Sequence, residues 1–553
     1  MDRIKRGKKT KQWCIVASLL GIFLLYISIV KSDLLIPVNA DEGMHLISSL
    51  RYYNVLVASS PGMFKQLLEV NSHYPPLFPL SSAILNIFFG TSRAVSVGTN
   101  MIYFLIMLFS TYFIGKKIGS RKTGLLACFV LSMFPMVFGM SRWFILEFPL
   151  TAMVSFSICC LFYTESFANR KYSLLFGLSV GLGMLTKWTF GIFMIGPFLC
   201  TILAKDRKSI KNLCYAIGLA LFISFIWYLP HISGLIRSIP GGNIRIHEIA
   251  FPWYSLEGLL FYAKSILYQI SPLFFFFFLI ALPLTIRKKF KNKFIVFSWI
   301  LFSYIILTII NNKWTHYIMP VLPAVALILA IGILAVPFRK LRYSLIGVLI
   351  IAGLVQFFYI NYAGYQKMRK IVNYFPVKID AQNMWRYVGK VPLEFYREIG
   401  RMYDDRIMPY FNKESLENEK LIVGIIATDF LTIHHLEYLI LKNGWADIVE
   451  IVGFMRETEA FISLADRFDL LVINHSSKIW PDRYSIEEIF KWEKLDKIRR
   501  LTNMDYVRYS AVLKGLSKRF KIAETMKLPS DGLPFSWEYF PYLSVLTKID
   551  KQQ

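Results

Sequence analysis

Eleven apolar stretches of roughly 16 to 28 residues recur between residues 13 and 362, and this recurrence constrains the chain more than any other feature. Helices of that length cross, or nearly cross, about 30 Å of hydrocarbon at about 1.5 Å per residue. The stretches fall near 13–30, 94–115, 123–140, 148–166, 172–187, 188–204, 212–230, 259–286, 294–311, 317–336 and 343–362. Only 18% of the 553 residues are charged, where a soluble domain carries about a quarter. The expected fold is therefore a polytopic α-helical membrane protein with about 11 transmembrane helices. Disorder, collagen and a purely soluble enzyme are excluded.

A net charge of +27 would ordinarily suggest a nucleic-acid partner, but its distribution argues otherwise. Residues 1–362 hold 34 Lys and Arg against 10 Asp and Glu, whereas residues 363–553 hold 29 against 26. The basicity belongs to the membrane half, and no nucleic-acid partner is expected. With the amino terminus cytoplasmic, 24 of those 34 cations fall on inner segments. They include Lys116, Lys117, Arg121 and Lys122, then Arg287 to Lys293, and Arg339, Lys340 and Arg342. An odd number of spans then leaves residues 363–553 outside a plasma membrane.

Residues 74–90 are read as an amphipathic or re-entrant helix, because a crossing there would turn Lys116 to Lys122 outward. The first stretch, with Val38, Asn39 and Ala40, resembles a signal peptide, yet cleavage would discard a six-charge inner anchor. An uncleaved anchor is expected. Cys14, Cys128, Cys159, Cys160, Cys200 and Cys214 all lie in apolar stretches, so neither a disulfide framework nor a thiolate metal site is expected.

This topology gathers ionisable residues on the outer face. Asp41, Glu42, His45, Arg51 and His73 lie in a long first outer loop, residues 31–93. Arg142 and Glu147 follow the third stretch, and Lys187 sits in a tight turn. His231, Arg237, Arg245, His247 and Glu248 follow the seventh, and Lys313 and His316 precede the tenth. Glu147 is embedded among Trp143, Phe144, Ile145, Leu146, Phe148 and Pro149, so a carboxylate there needs a polar cavity and a partner, and Arg142 is the nearest candidate. Snorkelling to headgroups is the plainer alternative for Glu147, Lys187 and Lys313. An Asp41–Glu42 pair also suits the positive end of a helix. The same inventory would serve a reaction in which a carboxylate takes a proton from a hydroxyl while Lys187 and Lys313 hold a departing phosphate.

Five motifs carry a family resemblance: Asn39 to His45; His73 to Leu77; Ser141 to Pro149; Leu185 to Lys187; and Asn312 to Pro320. Together they resemble the GT-C glycosyltransferases, in the branch of the protein O-mannosyltransferases and the lipid A aminoarabinose transferase, over about residues 1–362. The resemblance implies a membrane enzyme that moves a sugar from a polyprenyl-phosphate carrier to a hydroxyl of a lipid, glycan or protein on the outer face, usually with inversion. It assigns Asp41 as general base with Glu42 beside it. Glu147 is the third catalytic candidate; it stands where the family usually has Asp in the second outer loop, and its longer side chain shifts its reach. Lys187, Lys313 and Tyr317 match positions near the lipid phosphate, and Arg142 joins that set. His45, His73, Tyr74, Arg237 and His316 are candidate substrate contacts. His73 and Tyr74 replace an acidic–basic pair of the aminoarabinose branch, so that substrate does not carry over. A divalent metal near the carboxylates and His45 or His73 is a candidate cofactor that no ligand spacing compels.

Independently of the family, an outward-facing transferase is separated from cytosolic nucleotide sugars, and a lipid phosphate solves the problem. In residues 363–553, Leu421–Ala427, Ile448–Val452 and Phe468–Ile473 read as buried strands with helices near 431–443 and 485–500, predicting a small extracytoplasmic α/β domain. Asp429, His434, His435 and His475 are expected to be solvated polar surface there. The competing function is a transporter or lipid-carrier flippase, which would show inverted repeats and midplane charges. A membrane-anchored sensor would not need eleven spans. The sequence shows no internal repeat, and its charges gather at one rim.

Overall fold

The computed structural model describes residues 21–27, 40–203, 209–244, 252–310 and 313–362, together with residues 438 and 440–442 and five strands between 421 and 548. The chain divides into two compact units. One comprises Met1–Leu34 and Arg51–Lys390; the other comprises Leu35–Leu50 and Val391–Gln553.

The first unit is helical. After a helical stretch at 21–27 come α1 (Ala40–Ala58), whose first residues belong to the other unit, α2 (Met63–Glu69), α3 (Leu77–Phe89), α4 (Arg93–Ile118) and α5 (Arg121–Ser132). Next are α6 (Pro135–Met140), α7 (Glu147–Tyr163), α8 (Arg170–Met184), α9 (Phe190–Leu203) and α10 (Ile210–Ile244). The series ends with α11 (Leu256–Arg287), α12 (Lys293–Ile309), a 3-10 turn (Thr315–Val321), α13 (Leu322–Leu334) and α14 (Arg339–Tyr362).

Short polar residues set the helix starts. Ser92, Ser120, Asn169 and Ser255 each accept a backbone N–H of the following first turn, and Ser120 and Thr123 form a reciprocal capping box.

Among the described residues, five helical segments are long and apolar enough to cross a membrane: Arg93–Ile118, Ile210–Gly234, Leu256–Arg287, Thr315–Leu334 and Arg339–Asn361. Others of the expected stretches are shorter helices, and proline explains several of the interruptions. The 123–140 stretch splits before Pro135, and the 317–336 stretch begins as the 3-10 turn containing Pro320. In α11, Ser271 leaves the helical region (φ 75°, ψ 155°) immediately before Pro272, as expected from the clash of a proline ring with a preceding helical residue. A serine at this positive φ stores strain of about 1–3 kcal/mol. Its hydroxyl compensates by donating to Gln356 Oε1 at 2.6 Å. At 13 residues α3 spans about 20 Å, short of the hydrocarbon thickness.

α13 is the buried centre of the unit; all its residues from Leu322 to Ile333 are inaccessible. Close backbone approach brings it against α11, since a Cβ on Gly332 would lie 2.1 Å from the carbonyl oxygen of Ala281. The same device joins α8 to α10, where a Cβ on Gly177 would lie 2.3 Å from the carbonyl oxygen of Ala216. Peripheral helices present bare apolar side chains, such as Phe222, Leu229, Ile351 and Val355. Such surfaces are stable against acyl chains, where every backbone polar group must be satisfied within the helix.

The second unit contains a five-stranded sheet: β1 (Leu421–Ile426), β2 (Val449–Gly453), β3 (Leu470–His475), β4 (Phe520–Lys527) and β5 (Tyr542–Lys548), in the order β2-β1-β3-β5-β4. β1 runs parallel to both β2 and β3, with Val423 opposite Ile451 and Leu470, whereas β5 runs antiparallel to β3 and β4. A register shift between Ile522 and Glu524 marks β4. The three expected strands coincide with β1 to β3. β4 and β5 were not expected, because Lys521, Glu524 and Lys527 in β4, and Ser544, Thr547 and Lys548 in β5, interrupt any continuous apolar run. The expected helix at 485–500, most of that at 431–443, and Asp429, His434 and His435 lie outside the described residues; His475 ends β3.

Candidate active site

Three separate backbone breaks in the helical unit deliver side chains to one place. The first is the start of α7. Glu147 occupies its first turn, where the positive helix end favours a carboxylate, and its own backbone carbonyl accepts from Thr151 Oγ1 at 2.7 Å.

The second is the turn between α8 and α9, which carries Lys187. Thr186 N–H donates to the Gly183 carbonyl at 3.0 Å, and Phe190 N–H to the Lys187 carbonyl at 3.0 Å. The turn requires glycine at 183, because a Cβ there would lie 2.2 Å from the Phe190 ring. Two outside bonds fix it: Leu77 N–H to the Leu185 carbonyl at 2.9 Å, and Tyr228 Oη to the Met184 carbonyl at 2.9 Å.

The third is the 3-10 turn bearing His316 and Tyr317. Gln269, fully buried and two residues before the break in α11, donates its amide to the Thr315 carbonyl.

At their meeting point Lys187 Nζ lies 2.5 Å from Glu147 Oε1, and His316 Nε2 lies 3.6 Å from the same oxygen. Lys187 Nζ also sits 5.0 Å from the centre of the Tyr317 ring, within cation–π range. The Glu147 side chain is 3% exposed and that of Lys187 12%, so solvent or a ligand reaches the pair from the lysine side. A carboxylate taken from water here is tolerated because an ammonium and an imidazole face it. The arrangement can accept an anion: a second negative group would compete with Glu147 for Lys187, and a proton on His316 would strengthen its hold.

The remaining candidates are placed as follows. Lys313 is buried in the connection before the 3-10 turn and donates to the Ile310 carbonyl at 2.7 Å, closing the end of α12. Burial holds its ammonium below the usual lysine range. Arg142 is buried, and Nη1 donates to Asn361 Oδ1 at 2.7 Å, while its own carbonyl accepts from Arg93 Nη2 at 3.2 Å. The close partner of Glu147 is thus Lys187, with His316 behind it, and the expected Arg142 anchors the end of α14 instead. The difference arises because the chain folds back to the α7 start across a separation of 40 positions.

His73 and Tyr74 stack edge to face at 4.6 Å, and Asn71 Oδ1 accepts both of their backbone N–H groups at 2.9 Å. Arg237 lies on α10. Asp41, Glu42 and His45 occupy the first turns of α1 within the other unit; Asp41 is exposed, whereas Glu42 and His45 are buried. Among the described residues no group of three or more His, Cys, Asp and Glu side chains could hold a metal ion.

Two residues in this framework escaped the sequence reading, Gln269 and Asn361. Gln269 is the one side-chain amide of its apolar run, and Asn361 shares its run with Gln356; an amide amid apolar residues was the available signal.

Comparison with known proteins bears on the fold. The family model described as dolichyl-phosphate-mannose-protein mannosyltransferase matches residues 73–233, a stretch that includes Glu147 and Lys187. An uncharacterised protein of Aquifex aeolicus is 27% identical over 277 residues, covering 47% of this chain and 53% of the relative. The chain thus spans about half the length of that curated relative. Among solved structures, ArnT from Cupriavidus metallidurans bound to undecaprenyl phosphate matches with a TM-score of 0.56 at 12% identity, over 98% of each chain. Archaeal oligosaccharyltransferase AglB from Archaeoglobus fulgidus, in complex with an inhibitory peptide and a dolichol-phosphate, matches with a TM-score of 0.51 at 12% identity, over 96% of this chain and 75% of that one. The chain shares its fold with these membrane proteins, and the matches fall within the GT-C group that the motifs resemble.

Proposed function

We propose that this chain is an integral membrane glycosyltransferase that transfers a hexose or pentose from a polyprenyl-phosphate carrier to a hydroxyl of a lipid, glycan or protein at the outer face of the plasma membrane. The observation that carries the reading is the convergence of Glu147, Lys187, His316 and Tyr317 from three distant segments onto one nearly buried spot. A cation held there at low exposure is suited to a lipid phosphate, which arrives along the membrane. The ligands named for the two solved neighbours, undecaprenyl phosphate and dolichol-phosphate, belong to this chemical class.

In the proposed reaction the acceptor oxygen attacks the anomeric carbon and the bond from that carbon to the phosphate oxygen breaks. The hydroxyl proton passes to the Asp41 carboxylate, with Glu42 as its neighbour, and the carrier departs as polyprenyl phosphate. Lys187, Lys313, Tyr317 and Arg142 form the phosphate-binding set, in which charge on the leaving group is met where it develops. Glu147 holds Lys187 in place until the donor arrives. His45, His73, Tyr74, Arg237 and His316 are substrate contacts. The helical unit crosses the membrane about eleven times with its amino terminus cytoplasmic, and the sheet-bearing residues form an extracytoplasmic α/β domain.

The test is transfer of label from a panel of radiolabelled polyprenyl-phosphate sugars in membranes containing the protein, followed by separation of lipid, glycan and protein fractions. Label in one fraction, dependent on the protein, supports the reading and identifies the acceptor. Absence of protein-dependent label with every sugar of the panel contradicts it.

A further inference from the structure

At the opposite end of α14 from Asn361, three cations surround one phenol. Lys122 Nζ lies 5.9 Å from the centre of the Tyr343 ring, Arg339 Cζ 5.8 Å and Arg342 Cζ 5.7 Å. They come from the first turns of two helices, α5 and α14, and Arg121 and Lys340 stand beside them.

The arrangement is electrostatically unfavourable as it stands. Like charges gather at two positive helix ends, and neither first turn contains an acidic residue. Nearby Lys117 is answered by Glu165 at 2.9 Å. Among the described residues, no carboxylate forms an ion pair with Lys122, Arg339 or Arg342. Arg342 donates to the Val336 carbonyl at 3.4 Å, and Lys122 hydrogen-bonds the Tyr343 hydroxyl.

The surroundings indicate what would complete the cluster. Phe338 (72% exposed), Leu341 (49%) and Tyr343 (47%) project beside the cations. A bare aromatic and aliphatic surface next to a cationic pocket at a helix end suits a molecule with an anionic head and apolar tails. From Arg339 to Asn361 the helix rises about 33 Å, the thickness of a hydrocarbon core. The cluster therefore lies at the leaflet opposite the Arg142–Asn361 contact.

We propose that Lys122, Arg339, Arg342 and Tyr343 bind the phosphate headgroup of an anionic phospholipid. This site is independent of the glycosyl-transfer reading and lies in the other leaflet. The phosphate oxygens bridge the two helix starts, relieve the repulsion and fix α14 against α5, while the acyl chains cover Phe338 and Leu341.

The experiment compares thermal unfolding of the full chain in phosphatidylcholine nanodiscs, in the same nanodiscs with added phosphatidylglycerol, and in phosphatidylcholine nanodiscs with inorganic phosphate. The wild type is expected to gain stability with phosphatidylglycerol content. Lys122→Gln/Arg339→Gln, which spares Arg342, is expected to shift that titration about thirtyfold to higher lipid, given about 1 kcal/mol for each interfacial cation. The charge-keeping pair Lys122→Arg/Arg339→Lys and the control Lys289→Gln/Lys291→Gln, exposed cations of another loop, are expected to follow the wild type. An unshifted titration in Lys122→Gln/Arg339→Gln, or an equal shift in the control, overturns the site. An equal gain from inorganic phosphate alone overturns the lipid assignment.

Discussion

Lys187 Nζ and Glu147 Oε1 lie 2.5 Å apart across 40 residues of sequence, one in a turn between two helices and the other in the first turn of a third. A pair so buried is maintained by mutual compensation, and its members are unequal: the lysine retains the greater access. That inequality leaves Lys187 the accessible member of the pair while Glu147 remains enclosed.

Removing one partner therefore has a defined cost. Lys187→Ala leaves Glu147 buried beside His316 alone and is expected to destabilise the protein by about 3–5 kcal/mol. Glu147→Gln/Lys187→Gln removes both charges and is expected to recover much of that loss, a coupling measurable as a double-mutant cycle by thermal unfolding in detergent. Strict additivity would show that the two groups do not act as a pair.

Gln269 tests how the third segment is held. Its amide bond to the Thr315 carbonyl fixes the turn that presents His316 and Tyr317. Gln269→Leu forfeits a bond with a net value of about 1 kcal/mol, so the KM for the donor is expected to rise roughly fivefold with a smaller effect on kcat. An unchanged KM for the donor in the folded variant would remove Gln269 from the positioning framework.

Lys313 predicts a pH dependence. Because burial lowers its pKa, the ammonium loses its proton earlier than an ordinary lysine as pH rises. Donor affinity is then expected to fall on the alkaline side, below the ordinary lysine value of 10.5. Lys313→Arg keeps the charge at every accessible pH and is expected to flatten that limb. Persistence of the limb in Lys313→Arg would assign it to another group.

Asp41 tests the base. It is exposed on the first turn of α1, so Asp41→Asn is expected to leave the protein folded and inserted. Loss of a positioned base costs about 10²–10⁴ in rate. Full transfer activity in the purified variant would exclude the assignment.

Much of this was legible in the sequence for simple reasons. Lone cations such as Lys187 stand out in apolar runs, and apolar length marked the five described segments long enough to cross a membrane. Partnership was harder to read: Arg142 is five residues from Glu147, yet the close contact is Lys187, because tertiary folding rather than sequence proximity chooses the partner. The break in α11 was missed although Pro272 marks it, since the apolar run continues on both sides. β1 to β3 were visible as mainly apolar runs, broken in β2 only by Glu450, whereas β4 and β5 alternate with charged and polar residues and resemble exposed loop.

The central claim is that the cluster around Lys187 receives a lipid phosphate, and the most direct test is equilibrium binding of sugar-free polyprenyl phosphate to the purified protein. Saturable binding to the wild type is expected, with at least a tenfold weakening in Glu147→Gln/Lys187→Gln, given that a charge-assisted hydrogen bond contributes about 1.5–3 kcal/mol. Equal affinity in wild type and folded double variant would contradict the account.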